Sequence, residues 1–256
     1  MAEHSKALEF YQKAVEIQEE SLPSNHAHLT FTYNNIGSLY ASMEDYPKAL
    51  HFYQKVQETQ QKSLPQDHPY MAVTYSNIAL VYESMGEYST ALKFHHQALT
   101  IREKSLPLNL TDLAATYSNI ARAHDEIKEY SDALQFYEKT LEIYQKTLPP
   151  NDPELAGAYN SIAVLYVHLE RHSKALEFYH KTLEIEQQYL PLNHSALAST
   201  TCCIGMIHKK MGEYSKAFEF CERAVEIGEH SLSEDDCYLA FYRKQFDTIQ
   251  KKLESA

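Results

Sequence analysis

Apolar residues recur along this chain at the three- and four-residue steps of a single helical face. In the stretch TYNNIGSLY (32–40), Tyr33, Ile36, Gly37 and Tyr40 fall within about 60° of one another at 100° per residue. Such spacing predicts one helix over about 26–44 and a second over about 47–62, with equivalents at every later step of 42 residues. The tripeptides SLP at 21–23, 63–65 and 105–107, TLP at 147–149 and YLP at 189–191 mark the period. SLS at 231–233 keeps the register without its proline, and KAL at 6–8 returns as KAL, TAL, DAL, KAL and KAF. Residues 5–256 thus divide into six units of 42.

Start and stop signals agree with that division. Ser89, Ser131, Ser173 and Ser215 stand where an N-cap is wanted, and Pro47 suits a first helical turn. Pro23, Pro65, Pro107, Pro149 and Pro191 cannot continue a helix and end the second one of each unit. A lone helix pair leaves an apolar face open, so stacked neighbours must supply a continuous core.

Two asparagines in the middle of the first helix are out of place for propensity, since Asn costs about 0.6 kcal/mol against Ala there. The helical wheel locates them. Tyr33, Ile36, Gly37 and Tyr40 face the helix's own partner, and the small Gly37 or Ala79 permits close approach. A second strip, Thr32 and Leu39 with their equivalents Thr74 and Val81, suits the adjacent unit. The remaining face, from about 80° to 200°, has no internal duty. It carries Phe31, Asn34, Asn35, Ser38, Ala41 and Ser42, then Val73, Ser76, Asn77, Leu80, Glu83 and Ser84. Ala115, Ser118, Asn119, Arg122, Asp125 and Glu126 follow, then Gly157, Asn160, Ser161, Val164, Val167 and His168. The last set is Ser199, Cys202, Cys203, Met206, Lys209 and Lys210.

Tyr33-x2-Ile36-Gly37-x2-Tyr40 followed by Ala49-x3-Tyr53 resembles the tetratricopeptide signature, W-x2-L-G-x2-Y then A-x3-F. Tyr75, Ile78, Ala79, Tyr82, Ala91 and His95 repeat it, as do Tyr117, Ile120, Ala121, His124, Ala133 and Tyr137. Tyr159, Ile162, Ala163, Tyr166, Ala175 and Tyr179 form a fourth copy, with Thr201, Ile204, Gly205, His208, Ala217 and Cys221 a looser fifth. The 42-residue period and linkers such as SLPQDHPYMA are similar to those of kinesin light chain-like arrays. The resemblance implies an all-α fold: a right-handed α-solenoid superhelix of stacked antiparallel helix pairs, about 12 helices in all. It implies one array, with a lone second helix at 1–25, five repeats (26–67, 68–109, 110–151, 152–193, 194–235) and a capping helix at 236–256.

In such superhelices the free face of the first helices lines a concave groove, which implies a peptide-binding role for it here. Asn35, Asn77 and Asn119 occupy one equivalent site, and a carboxamide can hold a peptide's N–H and C=O together. Groove asparagines act this way in kinesin light chain-like arrays. The alternative is that these amides bond neighbouring helices or water. Asn34 and Asn160 form a polar wall; Phe31, Leu80, Val164, Val167 and Met206 offer apolar contacts. Glu83, Asp125 and Glu126, with Arg122 among them, lie centrally, and Lys209 and Lys210 lie toward the end. The expected partner is a protein contributing an extended or short helical peptide. At the amino end, Leu8, Tyr11, Ala14 and Val15 lack part of their cover, which makes homo-oligomerisation through that helix a second expectation.

Composition removes other classes. With a formal net charge of −12, the chain is unsuited to nucleic acid or anionic membrane, whose binding depends on clustered Lys and Arg. No run approaches the roughly 18 apolar residues of a membrane span, and no signal-peptide pattern opens the chain, so a cytoplasmic setting is expected. Cys202, Cys203, Cys221 and Cys237 match no zinc spacing, and the sequons at Asn109 and Asn193 lack a secretory signal. Fourteen histidines sit mostly in recurring linker or packing positions. Phosphate-loop, zincin and nucleophile-elbow motifs are missing, so no catalytic residue, metal or cofactor is expected within this segment. A scaffold or adaptor is the resulting expectation, with a self-associating module or an accessory segment of a larger protein, even an enzyme, as alternatives.

Overall fold

The computed structural model describes residues 2–23 and 26–254. Twelve helices and no strand occur among the described residues: α1 (Ala2–Ser21), α2 (Ala27–Ser42), α3 (Tyr46–Ser63), α4 (Pro69–Ser84), α5 (Tyr88–Lys104), α6 (Leu110–Glu126), α7 (Tyr130–Thr147), α8 (Pro153–His168), α9 (His172–Tyr189), α10 (Ser195–Lys210), α11 (Tyr214–Ser231) and α12 (Cys237–Glu254). They form two compact units, residues 1–129 and 130–256. Inside each unit every helix packs on its neighbours in sequence. None of the described helices is long and apolar enough to cross a membrane.

The second helices stop just before the repeated prolines, but their starts differ from expectation. Ser89, Ser131, Ser173 and Ser215 lie inside the first turn, because the helices already begin at Tyr88, Tyr130, His172 and Tyr214. Glu87, Arg171 and Glu213 stand at the N-cap without a side-chain cap bond, while Asp45 accepts from the Lys48 amide at 3.4 Å. The tight turn before them sets this boundary. It needs a left-handed residue, supplied by Gly86 and Gly212 at φ 75° and 78° and by Glu44, Lys128 and Glu170 in the other turns. First helices are capped by linker side chains. The Nδ1 atoms of His26, His68 and His194 each accept a backbone N–H at 3.2 Å, and Asp152 and Asp236 do so at 2.9 and 2.7 Å.

Packing inside a pair follows the repeat signature. Ile36, Ile78, Ile120, Ile162 and Ile204 are buried, as are Ala49, Ala91, Ala133, Ala175 and Ala217. A Cβ on Gly37 would lie 2.9 Å from the Tyr53 ring, so contact there requires glycine. Phe52, Phe94 and Phe178 lie against Tyr40, Tyr82 and Tyr166 at centroid distances of 5.7, 5.6 and 5.5 Å. Where His208 replaces that tyrosine it stacks on Phe220 at 5.5 Å, and its Nδ1 lies 2.7 Å from Glu213 of the turn.

Between pairs, the second strip is buried against the preceding second helix. The Thr32 and Thr74 hydroxyls donate to Gln18 and Gln60 at 2.9 and 2.8 Å, and Arg102 bonds Thr116. The signature tyrosines are tethered from the same side: Tyr33 and Tyr117 donate to Glu19 and Glu103 at 2.5 and 2.8 Å, and Gln145 donates to Tyr159 at 3.0 Å. Buried hydroxyls need such partners, and these bonds fix the register between neighbouring pairs.

The uncovered surface of α1 is not where the pattern placed it. Val15 is buried and Leu8 and Tyr11 are half-buried against α2, whereas Phe10 and Ile17 are 72% and 66% exposed. One 42-residue step relates Phe10 to Phe52, which faces its own first helix; Leu8 and Val15 instead face the following one. At the other end, α12 buries Leu239, Tyr242 and Ile249 and exposes Lys244, Lys251 and Lys252.

Candidate functional site

In the first unit, α2, α4 and α6 leave a polar and apolar face unspent. Phe31, Val73 and Leu80 are exposed, while Asn34, Asn35, Asn77 and Asn119 are half-buried. The three equivalent asparagines have different surroundings. Asn77 Nδ2 donates to Asn34 Oδ1 at 2.9 Å, crossing from α4 to α2. Asn119 Oδ1 accepts from Arg122 at 3.3 Å on its own helix. Asn35, half-buried beside the Asn34–Asn77 pair, is not its third member. The wheel of one helix cannot reveal this, because the pairing joins residues one repeat and one residue apart. The joined pair keeps the N–H donors of Asn34 and the carbonyl acceptor of Asn77, the complement of a peptide group's C=O and N–H.

A cavity of about 500 Å³ adjoins this pair. Phe31 and Asn34 of α2, Val56 and Leu64 at the end of α3, and Tyr70 and Val73 of α4 line it. Its floor polar group is already satisfied: buried Gln60 accepts from Thr74 at 2.8 Å and donates to the Tyr70 carbonyl at 3.3 Å. Phe31, Val56, Leu64, Tyr70 and Val73 supply its apolar wall, with Thr30 and Ser63 beside them. Phe31 and Val73 were legible on the free face; Tyr70 and Leu64 were not, because they stand at helix ends, outside the central turns whose spacing defines that face. Tyr70 lies three residues before Val73 and so continues its face by one turn.

The central acidic group is not the open charge that the sequence suggests. Glu83 Oε1 lies 3.0 Å from Nε2 of His95, which is fully buried at the place of Tyr53, and Glu83 Oε2 accepts from Arg122 at 2.5 Å. Burial pushes the Glu83 carboxyl up, but the bonds and charges of His95 and Arg122 outweigh it and hold the carboxyl below its usual range. Arg122 thereby ties α6 to α4. Asp125 and Glu126 stand in the last turn of α6, half-buried and exposed.

The second unit treats the same positions differently. On α8, Asn160 is exposed, Val164 is half-buried, and Ser161 donates to its own helix at 3.0 Å. Lys209 reaches from α10 to α12, donating to Gln245 at 3.2 Å. Cys202, expected on the free face, is buried against Ala198, Ala224 and Tyr242. Those first three residues are the four-step counterparts of Asn34, Thr30 and Val56, all of which line the open cavity. Gly228, counterpart of Gln60, leaves the room: a Cβ there would lie 3.2 Å from the Tyr242 ring. The site exists in both units, open in one and filled by Tyr242 in the other.

Tandem helix pairs joined at fixed register, with a free first-helix face, define a helical-repeat protein. The tetratricopeptide repeat model matches residues 1–62, 30–104, 70–146 and 154–230, and the chain belongs to that family. Tetratricopeptide repeat proteins mediate interactions between proteins. Among solved structures, the apo form of RapI is 18% identical with a TM-score of 0.71, over 88% of this chain and 83% of that one. A putative kinesin light chain from Podosopora anserina with nearly identical TPR-like repeats is 19% identical with a TM-score of 0.69, over 81% of this chain and 100% of that one. YrrB, described as a TPR protein with an unusual peptide-binding site, is 18% identical with a TM-score of 0.59, over 92% of this chain and 97% of that one. Comparison with curated proteins finds no match. At these identities the likeness is one of fold.

Proposed function

We propose that this chain is a protein-interaction scaffold that grips an extended peptide of a partner across α2, α3 and α4. The carrying observation is the cavity of about 500 Å³ beside the Asn34–Asn77 amide pair. The cavity accepts one bulky apolar side chain while the amides hold the adjoining peptide group, irrespective of sequence. An extended segment is favoured over a helical one, because a helix has already spent its backbone N–H and C=O groups internally. Tyr242, packed on the counterpart residues of the second unit, supports an aromatic occupant. Asn35, Leu80, Asn119, Arg122, Glu83, Asp125 and Glu126 frame the same face in this reading; Asn160, Val164 and Lys209 serve the second unit.

A random peptide library selected on the chain tests this. Bound peptides should share one aromatic position. Val73→Arg should weaken them by about tenfold or more, and Asn77→Ala by about fivefold, the net worth of one hydrogen bond near 1 kcal/mol. Val73→Arg should leave the melting temperature nearly unchanged, and Asn77→Ala should lower it only by the worth of its bond to Asn34, about 1 kcal/mol. Selected peptides that bind both variants with unchanged affinity would refute the assignment.

A further inference from the structure

In the second unit a glutamate stands where the first has a glutamine. Three 42-residue steps carry Gln60 of α3 onto Glu186 of α9, and Thr74 of α4 onto Thr200 of α10. Gln60 and Thr74 make a closed set of bonds: the Thr74 hydroxyl donates to Gln60 Oε1, and Gln60 Nε2 donates to the Tyr70 carbonyl at 3.3 Å. Glu186 is buried like its counterpart, 8% exposed, and the Thr200 hydroxyl again donates to the side chain. Its Oε2 atom is buried without a partner. With Thr200 served by one oxygen, the other takes the place of the Gln60 amide nitrogen, and the counterpart of the Tyr70 carbonyl is that of Ala196.

Two acceptors cannot satisfy each other. An ionised Glu186 would turn a carboxylate oxygen toward a carbonyl oxygen inside the α9–α10 junction and forfeit its hydration for no bond. A proton on Oε2 makes it a donor and restores the bond pattern of Gln60. The surroundings favour that proton. Burial pushes the Glu186 carboxyl up, against the weaker pulls of the Thr200 hydroxyl and of His194, which caps α10 through its Nδ1. Cys203 of α10 and Tyr189 of α9 are pushed up by burial first and by Glu186 second. From α8, the other helix packed on α9, Glu154 stands at this end, exposed and accepting from Tyr144 at 3.5 Å. None of these neighbours is a lysine or an arginine. We propose that Glu186 is a pH-sensitive latch between α9 and α10, holding the Ala196 carbonyl as a neutral carboxylic acid and loosening the junction when its proton passes to solvent. Because the folded carboxyl sits above its usual 4.5, the latch is complete below that pH and is lost as pH rises through the folded value. Its sense is the reverse of that of Glu83, whose carboxyl is held below the usual range.

Denaturant unfolding and hydrogen exchange of the full chain, wild type against Glu186→Gln, test it from about pH 4 to about pH 9. The variant carries the amide of Gln60 at every pH. The two folding equilibrium constants should agree within about twofold at the acid end and favour the variant about fivefold or more at pH 8, the worth of one buried hydrogen bond. Exchange from α9 and α10, corrected for the intrinsic rate at each pH, should quicken with pH in wild type and not in Glu186→Gln. Glu186→Met removes the charge without supplying a donor, so at the acid end it should fold about fivefold less favourably than wild type. A wild type-to-Gln ratio constant across the range, a Gln variant less stable at pH 8, exchange that quickens equally in both, or a Met variant equal to wild type in acid would each overturn the proposal.

Discussion

The α2–α3–α4 station and the α10–α11–α12 station share the 42-residue register, yet one holds a cavity and the other a tyrosine. Among the exchanges that separate them, Gln60 becomes Gly228, Thr74 becomes Tyr242, and Asn34 becomes Cys202. In the first station Gln60 fills the space beneath Thr74, satisfies it, and leaves the outer wall to Phe31 and Val73. In the second, removal of that side chain admits a ring that covers Cys202 and Ala224. Tyr242 in place of Thr74, with Gly228 leaving room for its ring, separates the filled station from the open one. The cross-braces differ too. Arg122 on Glu83 is charged, whereas Lys209 on Gln245 is an ion–dipole contact.

The largest expected effect comes from emptying the filled station. Tyr242→Ala should cost about 3–5 kcal/mol in denaturant unfolding, the range for removing a buried aromatic side chain. Gly228→Gln, which imports the side chain of the open station, should cost about 1–3 kcal/mol by forcing the Leu239 and Tyr242 side chains apart from a Cβ at 3.1–3.2 Å. A stability equal to wild type for either variant would show that the tyrosine does not fill the site.

The charged brace makes the first station acid-sensitive. Because the folded carboxyl of Glu83 sits below its usual 4.5, its stabilisation is complete above that pH and is lost as pH falls through the folded value. Glu83→Gln should cost about 1 kcal/mol at neutral pH, since Arg122 is half exposed, and should flatten the acid limb. Hydrogen exchange between pH 5 and pH 3, relative to the Glu83→Gln variant, should show the extra acid loosening in α4 and α6 alone. The smallest effect on stability is Val73→Arg, within about 0.5 kcal/mol because the residue is exposed, although it blocks the cavity.

Helix number, length and the identity of the buried faces were legible because the 42-residue period states each element several times over. Pro65 and its equivalents fixed the ends, and Tyr33, Ile36 and Gly37 fixed the facing helix. Three things were not legible, for one shared reason: they depend on the offset between neighbouring helices. Asn77 meets Asn34 instead of aligning with Asn35; Glu83 is bonded to His95 and paired with Arg122; Cys202 is covered by Tyr242. A wheel ranks positions around one axis and carries no information about the axis beside it. The cap histidines were missed differently, since an imidazole acceptor is not among the usual N-cap residues.

The comparison of the two stations is tested most directly by p-cresol, the tyrosine side chain as a free molecule, titrated into methyl-labelled protein and followed by NMR. Wild type should show saturable shifts at the Val56, Leu64 and Val73 methyls, with none at Ala198 or Ala224. Tyr242→Ala should gain a second saturable set at Ala198 and Ala224 and recover part of its lost melting temperature on adding the ligand. Shifts absent from Val73 in both proteins, or shifts at Ala198 in wild type, would contradict an open first station and a filled second one.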